Sequence, residues 1–262
     1  MKRALIIFTS MLLGINDAAA QTQTQTQTQT QTPPIFDDEA MREARDRLFA
    51  SHGASIISMI ALDRLEYRSN EGNPASVWEA TAWIGGDINR IWLETEGEHL
   101  SSQGETEKFE LQALYGRAIH PFWDVRVGVR HNVETNPSRT YLTAGLQGLA
   151  PYWFEVDGAL FVSNKGDVSA TLEAEYELRL TQRLMLQPSM ELSAALTDDE
   201  ESGVGSGLSA AEFGVRLRYE IRRQFAPYIG VTWARHFGDT ADLQSDHEDT
   251  TTSFVAGIRM WF

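Results

Sequence analysis

The sequence predicts an all-β protein, a transmembrane antiparallel up-and-down β-barrel of twelve strands, with ten or fourteen strands as alternatives. Apolar and polar residues alternate in runs of about 10–14 residues. An average soluble strand has about 5–6 residues, and a tilted membrane strand needs about 9–11. Long polar segments and short turns join the runs alternately, and aromatic residues gather beside the short turns. These features are typical of bacterial outer-membrane barrels.

Residues 1–20 have the pattern of a secretory signal peptide. Lys2 and Arg3 form a basic start, an apolar stretch continues to Ile15, and three alanines at 18–20 supply a cleavage site. The apolar stretch of about 12 residues is too short for a spanning helix. The signal therefore predicts export, with an uncleaved anchor as the alternative.

Residues 21–34 are a low-complexity linker of six Gln-Thr pairs and two prolines, a composition that predicts a disordered arm. Residues 35–54 are predicted to form a short periplasmic helical segment with Asp37 as N-cap. A plug inside the barrel is the alternative, which the thin apolar face of this segment disfavours. Residues 55–262 are the predicted barrel.

The twelve predicted strands vary in regularity. The last is the clearest, because Phe254, Ala256 and Ile258 form one apolar face while Arg259 lies on the other. The chain ends on Phe262, and a terminal aromatic after such alternation resembles the assembly signal of outer-membrane barrels. The predicted spans are 59–67, 76–86, 89–98, 106–119, 124–132, 139–148, 153–163, 168–180, 183–196, 208–221, 227–237 and 253–262.

The two ends of the predicted barrel differ in character. The longer connections are polar and the others are short, which assigns the short ones to the periplasmic side. Amphipathic rings prefer the level of the lipid headgroups, and eight of them fall at the short-turn end: Phe122, Trp123, Tyr152, Trp153, Phe225, Tyr228, Trp261 and Phe262.

Charged residues occupy the faces opposite the apolar ones, and the chain has 19 Arg but only 3 Lys. Arg pairs with carboxylates in bidentate geometry, so one interpretation is a salt-bridge mesh that braces the barrel interior. The other is a cation path, because acids outnumber bases on this face and an acidic lining concentrates cations. The acids include Glu94, Glu96, Glu110, Asp157, Glu173, Glu175, Glu177, Glu191 and Glu212.

The composition excludes several classes of protein. A net charge of −15 argues against a nucleic-acid partner. The absence of cysteine excludes disulfide scaffolds and thiolate metal sites. Neither G-x-S-x-G nor H-E-x-x-H occurs, so we predict that the protein is not an enzyme. An outer-membrane hydrolase is a third reading, since His131 lies on the predicted lipid face, but no neighbouring Ser is a compelling partner.

Histidines and acidic loops near the predicted outer rim offer metal ligands. Asp246, His247 and Glu248 are adjacent in the last long loop, and a His flanked by carboxylates can ligate a divalent metal. His99 and His236 lie near the outer ends of their strands. Acidic loops also arise for solubility, and the pattern favours each of these two His residues, taken alone, as a hydrogen-bonded wall residue over a metal ligand.

Several long blocks resemble the copper-resistance B family of outer-membrane proteins. The blocks follow one another in matching order over about residues 55–262: 83–93 (WIGGDINRIWL), 148–155 (GLAPYWFE), 217–228 (LRYEIRRQFAPY), 237–241 (FGDTA) and 254–262. The resemblance implies an outer-membrane barrel that binds copper ions or influences their passage. It also implies contact with outer-membrane lipids and a periplasmic multicopper oxidase as partner. We expect a monomeric barrel.

The segment before the barrel differs from that of the family. Family members often carry a Met-, His- and Asp-rich segment before the barrel, where this chain has its Gln-Thr repeat. Copper binding would then rest more on the barrel, and a general cation-selective or structural barrel is the runner-up function. The candidate copper ligands are Asp246, His247 and Glu248 in the loop, His99 and His236 at the rim, and Met185 and Glu191 inside.

Overall fold

The computed structural model describes residues 37–48, 55–69, 74–100, 105–133, 138–199, 202–243 and 250–262. The predicted signal peptide and Gln-Thr linker lie outside these residues. The chain divides into two compact units, Met1–Phe49 and Ala50–Phe262. In the first, helix α1 covers Asp38–Leu48, and the Asp37 carboxylate caps it by accepting a 3.3 Å hydrogen bond from the Glu39 backbone N–H. None of the described helices is long and apolar enough to cross a membrane.

The described residues of the second unit form β-strands, one further α-helix and a short 3-10 turn. Helix α2, Gly238–Leu243, follows the twelfth strand. The described strands are β1 (Ile57–Ser69), β2 (Ala75–Gly85), β3 (Asn89–Leu100), β4 (Glu105–His120), β5 (Trp123–Asn132), β6 (Arg139–Ala150), β7 (Phe154–Ser163), β8 (Val168–Glu175), β9 (Leu178–Arg179), β10 (Leu184–Ala195), β11 (Gly207–Tyr219), β12 (Phe225–His236) and β13 (Thr250–Trp261).

The strands close into one antiparallel barrel. From β1 to β8 and from β10 to β13 each strand pairs with the next, β8 pairs with β10, and β13 pairs with β1. The two-residue β9 pairs with β10 beyond the end of β8, so the barrel has twelve strand positions and one extra strand. The predicted twelve-strand fold is confirmed. The chain end seals it, because the Phe262 N–H donates to the Ile60 carbonyl at 2.8 Å and the Ile60 N–H donates back at 3.1 Å.

Side chains alternate across the barrel wall as predicted. On β5, Val125, Val127 and Val129 are 36%, 47% and 42% exposed on the outside, whereas Arg126 between them is 6% exposed and faces the lumen. An outer apolar surface and an inner charged one are the arrangement that a membrane barrel requires. The outward apolar residues form the surface that contacts lipid.

The short turns lie together at one end, which we call the periplasmic end. They follow β2, β4, β6, β9 and β11. At the third of these, Pro151–Trp153 form a single 3-10 turn, and Tyr152 and Trp153 have φ values of 66° and 67°. A left-handed backbone is strained for such residues. It leaves both rings exposed, as an interfacial girdle needs.

The predicted strand 168–180 is interrupted, and Pro188 on the facing strand β10 supplies the reason. The flanking pairs Ser189–Glu175 and Leu186–Leu178 place Pro188 opposite Tyr176. The Tyr176 N–H donates to the Pro188 carbonyl at 3.1 Å, but Pro188 has no N–H to return the second hydrogen bond. The ladder therefore breaks between β8 and β9, at residues 176–177.

Candidate functional site

The inward faces of the strands line a cavity of about 360 Å³ inside the barrel. Acidic and basic side chains both contribute to its wall. Because neighbouring inward positions on adjacent strands lie within side-chain reach of one another, the charges can form cross-strand ion pairs. The described residues show which of these pairs form.

Arg126 braces one side of the cavity. Its guanidinium donates to Glu94 on β3 at 2.6 Å and to Asp157 on β7, so it joins strands on both sides of β5. Arg90 on β3 pairs with Asp124 on β5 at 3.3 Å, nearer the periplasmic end. The Arg126 side chain thus contacts strands that lie two positions away on either side of β5, whereas backbone hydrogen bonds join only adjacent strands.

Glu66 is the most deeply buried acid of the opposite side, at 2% exposed. It accepts hydrogen bonds from Arg216 on β11 at 2.8 Å and from Arg68 at 3.0 Å. Arg68 also donates to both carboxylate oxygens of Glu212, at 3.1 and 3.2 Å. Buried charges are usually paired in this way, and the predicted salt-bridge mesh accounts for these four residues.

Glu173 and Glu191 depart from that pattern. They stand directly opposite each other on β8 and β10, and the register extends the row to Asp157 on β7 and Glu212 on β11. We call Asp157, Glu173, Glu191 and Glu212 the carboxylate row. Its outer members pair with Arg126 and Arg68. Within the described ranges, no ion pair reaches Glu173 or Glu191, and the positive charges of Arg64 and Lys108 act on them only at longer range.

At the outer end of the barrel, side-chain hydrogen bonds connect the segment after β10 to β6 and to α2. Arg139 on β6 is 2% exposed; it donates to Asp199 and, at 3.2 Å, to Ser202, both in the segment after β10. The Thr240 hydroxyl of α2 accepts from the Gly205 N–H at 2.9 Å. In the same segment the Ser206 N–H donates to Asp198 at 2.6 Å, and this hydrogen bond lowers the pKa of the Asp198 carboxyl below its ordinary value.

Comparison with known proteins identifies the family. A sequence profile described as "Copper resistance protein B precursor (CopB)" matches residues 56–262. The chain belongs to the copper resistance protein B family. It is 44% identical over 233 residues to Copper resistance protein B of Escherichia coli, covering 88% of this chain and 78% of that one. It is 42% identical over 257 residues to a Copper resistance protein B homolog of Pseudomonas syringae pv. tomato (strain ATCC BAA-871 / DC3000), covering 97% and 85%.

A solved structure supports the fold of this copper resistance protein B family member. The NanC porin matches with a TM-score of 0.53 over 77% of this chain and 98% of that one, at 14% identity. At that identity the likeness concerns the fold alone. A closed barrel of this type and its family membership place the protein in the bacterial outer membrane.

The predicted copper ligands are not gathered into one site by the described residues. His236 ends β12 on the face of the inward residues Thr232 and Tyr228, whereas His99 shares its face of β3 with the exposed Ile91. Strands β13, β1 and β2 lie between these two histidines. Asp246, His247 and Glu248 fall outside the described residues.

The two interior candidates also lie apart. Met185 and Glu191 are six positions apart on β10, about 20 Å at the usual rise of a strand. Met185 is 2% exposed and its sulfur accepts a 3.2 Å hydrogen bond from Arg218. In the part of the chain that the structure describes, no cluster of three or more His, Asp or Glu residues is close enough to hold a metal ion. Copper contact at Glu191 thus stays a prediction.

The outward histidine has a hydroxyl partner that the sequence did not suggest. His131 Nδ1 lies 2.9 Å from Thr140 Oγ1 on the next strand, and both are exposed on the outer wall. A catalytic base needs a third group to orient it, and among described residues the Thr140 hydroxyl is the only side chain hydrogen-bonded to this ring. The curated relatives are not named as enzymes.

Sequence analysis placed Glu173 and Glu191 on the inner face but missed that they face each other unpaired. Alternation shows which face a residue occupies, and only the register shows its cross-strand partner. The Arg218–Glu177–Arg259 connection, described below, was missed for the same reason. The available signal was the inward Arg218 together with Pro188 inside a predicted strand.

Proposed function

We propose that this outer-membrane copper resistance protein binds copper ions in its barrel lumen and regulates or conducts their passage across the outer membrane. The observation that carries the proposal is the facing, unpaired Glu173 and Glu191 in the lumen of a copper resistance family member. Like charges directly opposite each other are unfavourable. A cation between them would remove that repulsion.

The available ligands favour the divalent ion. Carboxylate oxygen and imidazole nitrogen suit Cu(II), whereas thioether sulfur suits Cu(I). The carboxylate row supplies oxygen, and His236 adds an imidazole on the inward face of β12. Met185 is engaged by Arg218, and around the cavity carboxylates far outnumber the methionines, Met59 and Met190. We therefore propose copper as cargo, bound as Cu(II) by two carboxylates, with Asp246, His247, Glu248 and His99 as further contacts near the rim.

Calorimetric titration of the refolded protein in detergent tests copper binding. We expect saturable binding of Cu(II), weaker binding of ascorbate-reduced copper, and loss of most of the Cu(II) signal in Glu173→Gln/Glu191→Gln. Glu220→Gln, in the turn after β11, is the matched control and should bind as the parent does. No saturable binding in either oxidation state would overturn the proposal.

A general cation-selective barrel is the second candidate, favoured by a lumen whose described residues hold no three-ligand metal cluster. Planar-bilayer recordings separate the two candidates. Blockade of potassium current by micromolar Cu(II), lost on Glu191→Gln, supports copper binding in the lumen. Equal currents with and without copper, unchanged by the substitution, support the general pore.

The family context also suggests a partner. We propose that the periplasmic end meets a multicopper oxidase, as the resemblance of the sequence implies, and that the barrel itself is a monomeric non-enzyme. Light scattering in detergent tests the monomer. Co-purification with a co-expressed periplasmic multicopper oxidase tests the partner, and independent elution of the two proteins would count against it.

A further inference from the structure

A series of ion pairs crosses the periplasmic end of the lumen. Glu177, in the break between β8 and β9, accepts a hydrogen bond from Arg218 on β11 and a 3.4 Å hydrogen bond from Arg259 on β13. Arg259 continues to Asp63 on β1 at 3.5 Å. We call these four residues the periplasmic bridge.

The bridge spans the opening and does not merely follow the wall. Strands β10, β11 and β12 lie between Glu177 and Arg259, so this contact covers five of the twelve strand positions. With Asp63 on the next strand, the bridge covers six. Asp63, Arg218 and Arg259 also line the lumen cavity described above, so the bridge forms its periplasmic floor.

One half of the bridge is fixed and the other is exposed. Arg218 is 4% exposed; it donates to Gln187 at 3.1 Å and to the Met185 sulfur at 3.2 Å, which hold it against β10. The side chains of Glu177 and Arg259 are 45% and 33% exposed. Ion pairs in contact with water are weak and exchange readily, so Glu177 can release Arg259 while Arg218 stays in place.

The backbone at Glu177 also lies outside the regular strand pairing of this wall. Residues 176–177 interrupt the ladder because Pro188 has no N–H to donate to the Tyr176 carbonyl. Only one of the two hydrogen bonds of this pair therefore forms. The movable acid of the bridge is therefore carried by the segment whose strand pairing is weakened.

We propose that Glu177 determines conductance and ion selectivity at the periplasmic exit of the lumen, by closing the bridge between Arg218 and Arg259. Cations concentrated by the carboxylate row reach two arginines there, and the charge of Glu177 offsets them. This inference rests on the proposed function, since a constriction matters only if the lumen is the route of passage.

Bilayer conductance in potassium chloride, without copper, tests the proposal. Glu177→Ala should raise single-channel conductance about twofold or more, because the narrowest point limits the current. It should also lower the ratio of cation to anion permeability, since Arg218 and Arg259 remain. Arg259→Gln should raise conductance likewise but increase that ratio, since Asp63 and Glu177 remain.

Both bridge variants should raise the conductance, but they should shift the ratio of cation to anion permeability in opposite directions. A residue with a purely structural role would not produce this dependence on the sign of the charge removed. Glu220→Gln is the matched control, a carboxylate in the neighbouring periplasmic turn for which the described residues show no ion pair. Heat-modifiable migration on gels verifies folding, and if one bridge variant fails to fold the other still tests the proposal. Parental conductance in the folded variants, or an equal change in Glu220→Gln, would overturn it.

The readouts separate this inference from the proposed function. If the protein fails to bind copper but the Glu177 variant has an altered potassium conductance, the copper proposal is overturned and the role of the bridge stands. If copper binding is normal but both bridge variants have the parental conductance, the role of the bridge is overturned and the copper proposal stands.

Discussion

Glu66 on β1 accepts a 2.8 Å hydrogen bond from Arg216 on β11, with β12 and β13 between the two strands. Both residues are almost fully buried. The bond joins the first strand to the last third of the barrel, so it can form only after the chain has closed on itself.

Glu66→Ala should therefore destabilise the barrel strongly. It leaves Arg216 without its carboxylate in a buried position, while Arg68 keeps Glu212, and breaking a buried pair from one side costs about 3–5 kcal/mol. Urea unfolding in lipid vesicles measures the loss. Glu155→Ala is the control, because Glu155 faces Glu175 across the strands and its removal relieves a like-charge contact. An equal loss in both variants would contradict the prediction.

Arg126→Gln should make stability depend on salt. In the parent protein Arg126 lies between Glu94 and Asp157 and pairs with both. The substitution removes this positive charge from between the two carboxylates. Screening shortens from about 10 Å at 0.1 M salt to about 3 Å at 1 M, so thermal unfolding should recover partly in 1 M potassium chloride. Arg183→Gln, in an exposed turn, should show no such recovery. A salt-independent deficit in Arg126→Gln would count against this account.

Removal of Phe262 should impair closure. The last residue exchanges two backbone hydrogen bonds with Ile60, and its ring is 75% exposed at the periplasmic end. Its deletion removes the two hydrogen bonds that extend the β13–β1 pairing to the end of the chain, so the folded fraction in outer-membrane preparations should fall severalfold. Phe254→Leu, an outward substitution on the same strand, is the control. Unchanged yield after deletion would show that the terminal pairing is dispensable.

Pro188→Ala should restore the strand that the proline interrupts. Alanine supplies the missing N–H opposite the Tyr176 carbonyl, so amide exchange at residues 176–178 should slow about tenfold or more, the factor that corresponds to a net hydrogen bond of about 1.4 kcal/mol. Pro227→Ala is the control, since the β12–β13 register is continuous at Pro227. Unchanged exchange in Pro188→Ala would mean that the break has another cause.

The sequence by itself determined the class of fold and the face of most residues. Alternation with a period of two sends Val125 outward and Arg126 inward whatever the rest of the chain does, because successive side chains of a strand point to opposite sides. The length of the runs and the terminal Phe262 set the barrel apart from a soluble sheet. The matching blocks indicated the family before the profile and the relatives established it.

Tertiary structure alone decided which charges meet. Glu173 and Glu212 are both inward acids by sequence, yet Glu212 pairs with Arg68 while Glu173 faces Glu191. The difference comes from register and closure, since a strand displaced along its neighbour changes every cross-strand partner. The distance between β8 and β13 across the lumen, which lets Glu177 meet Arg259, exists only once the sheet has curved into a barrel. The local sequence pattern determines the face to which each side chain points, and the closed barrel determines the distances between the charged side chains.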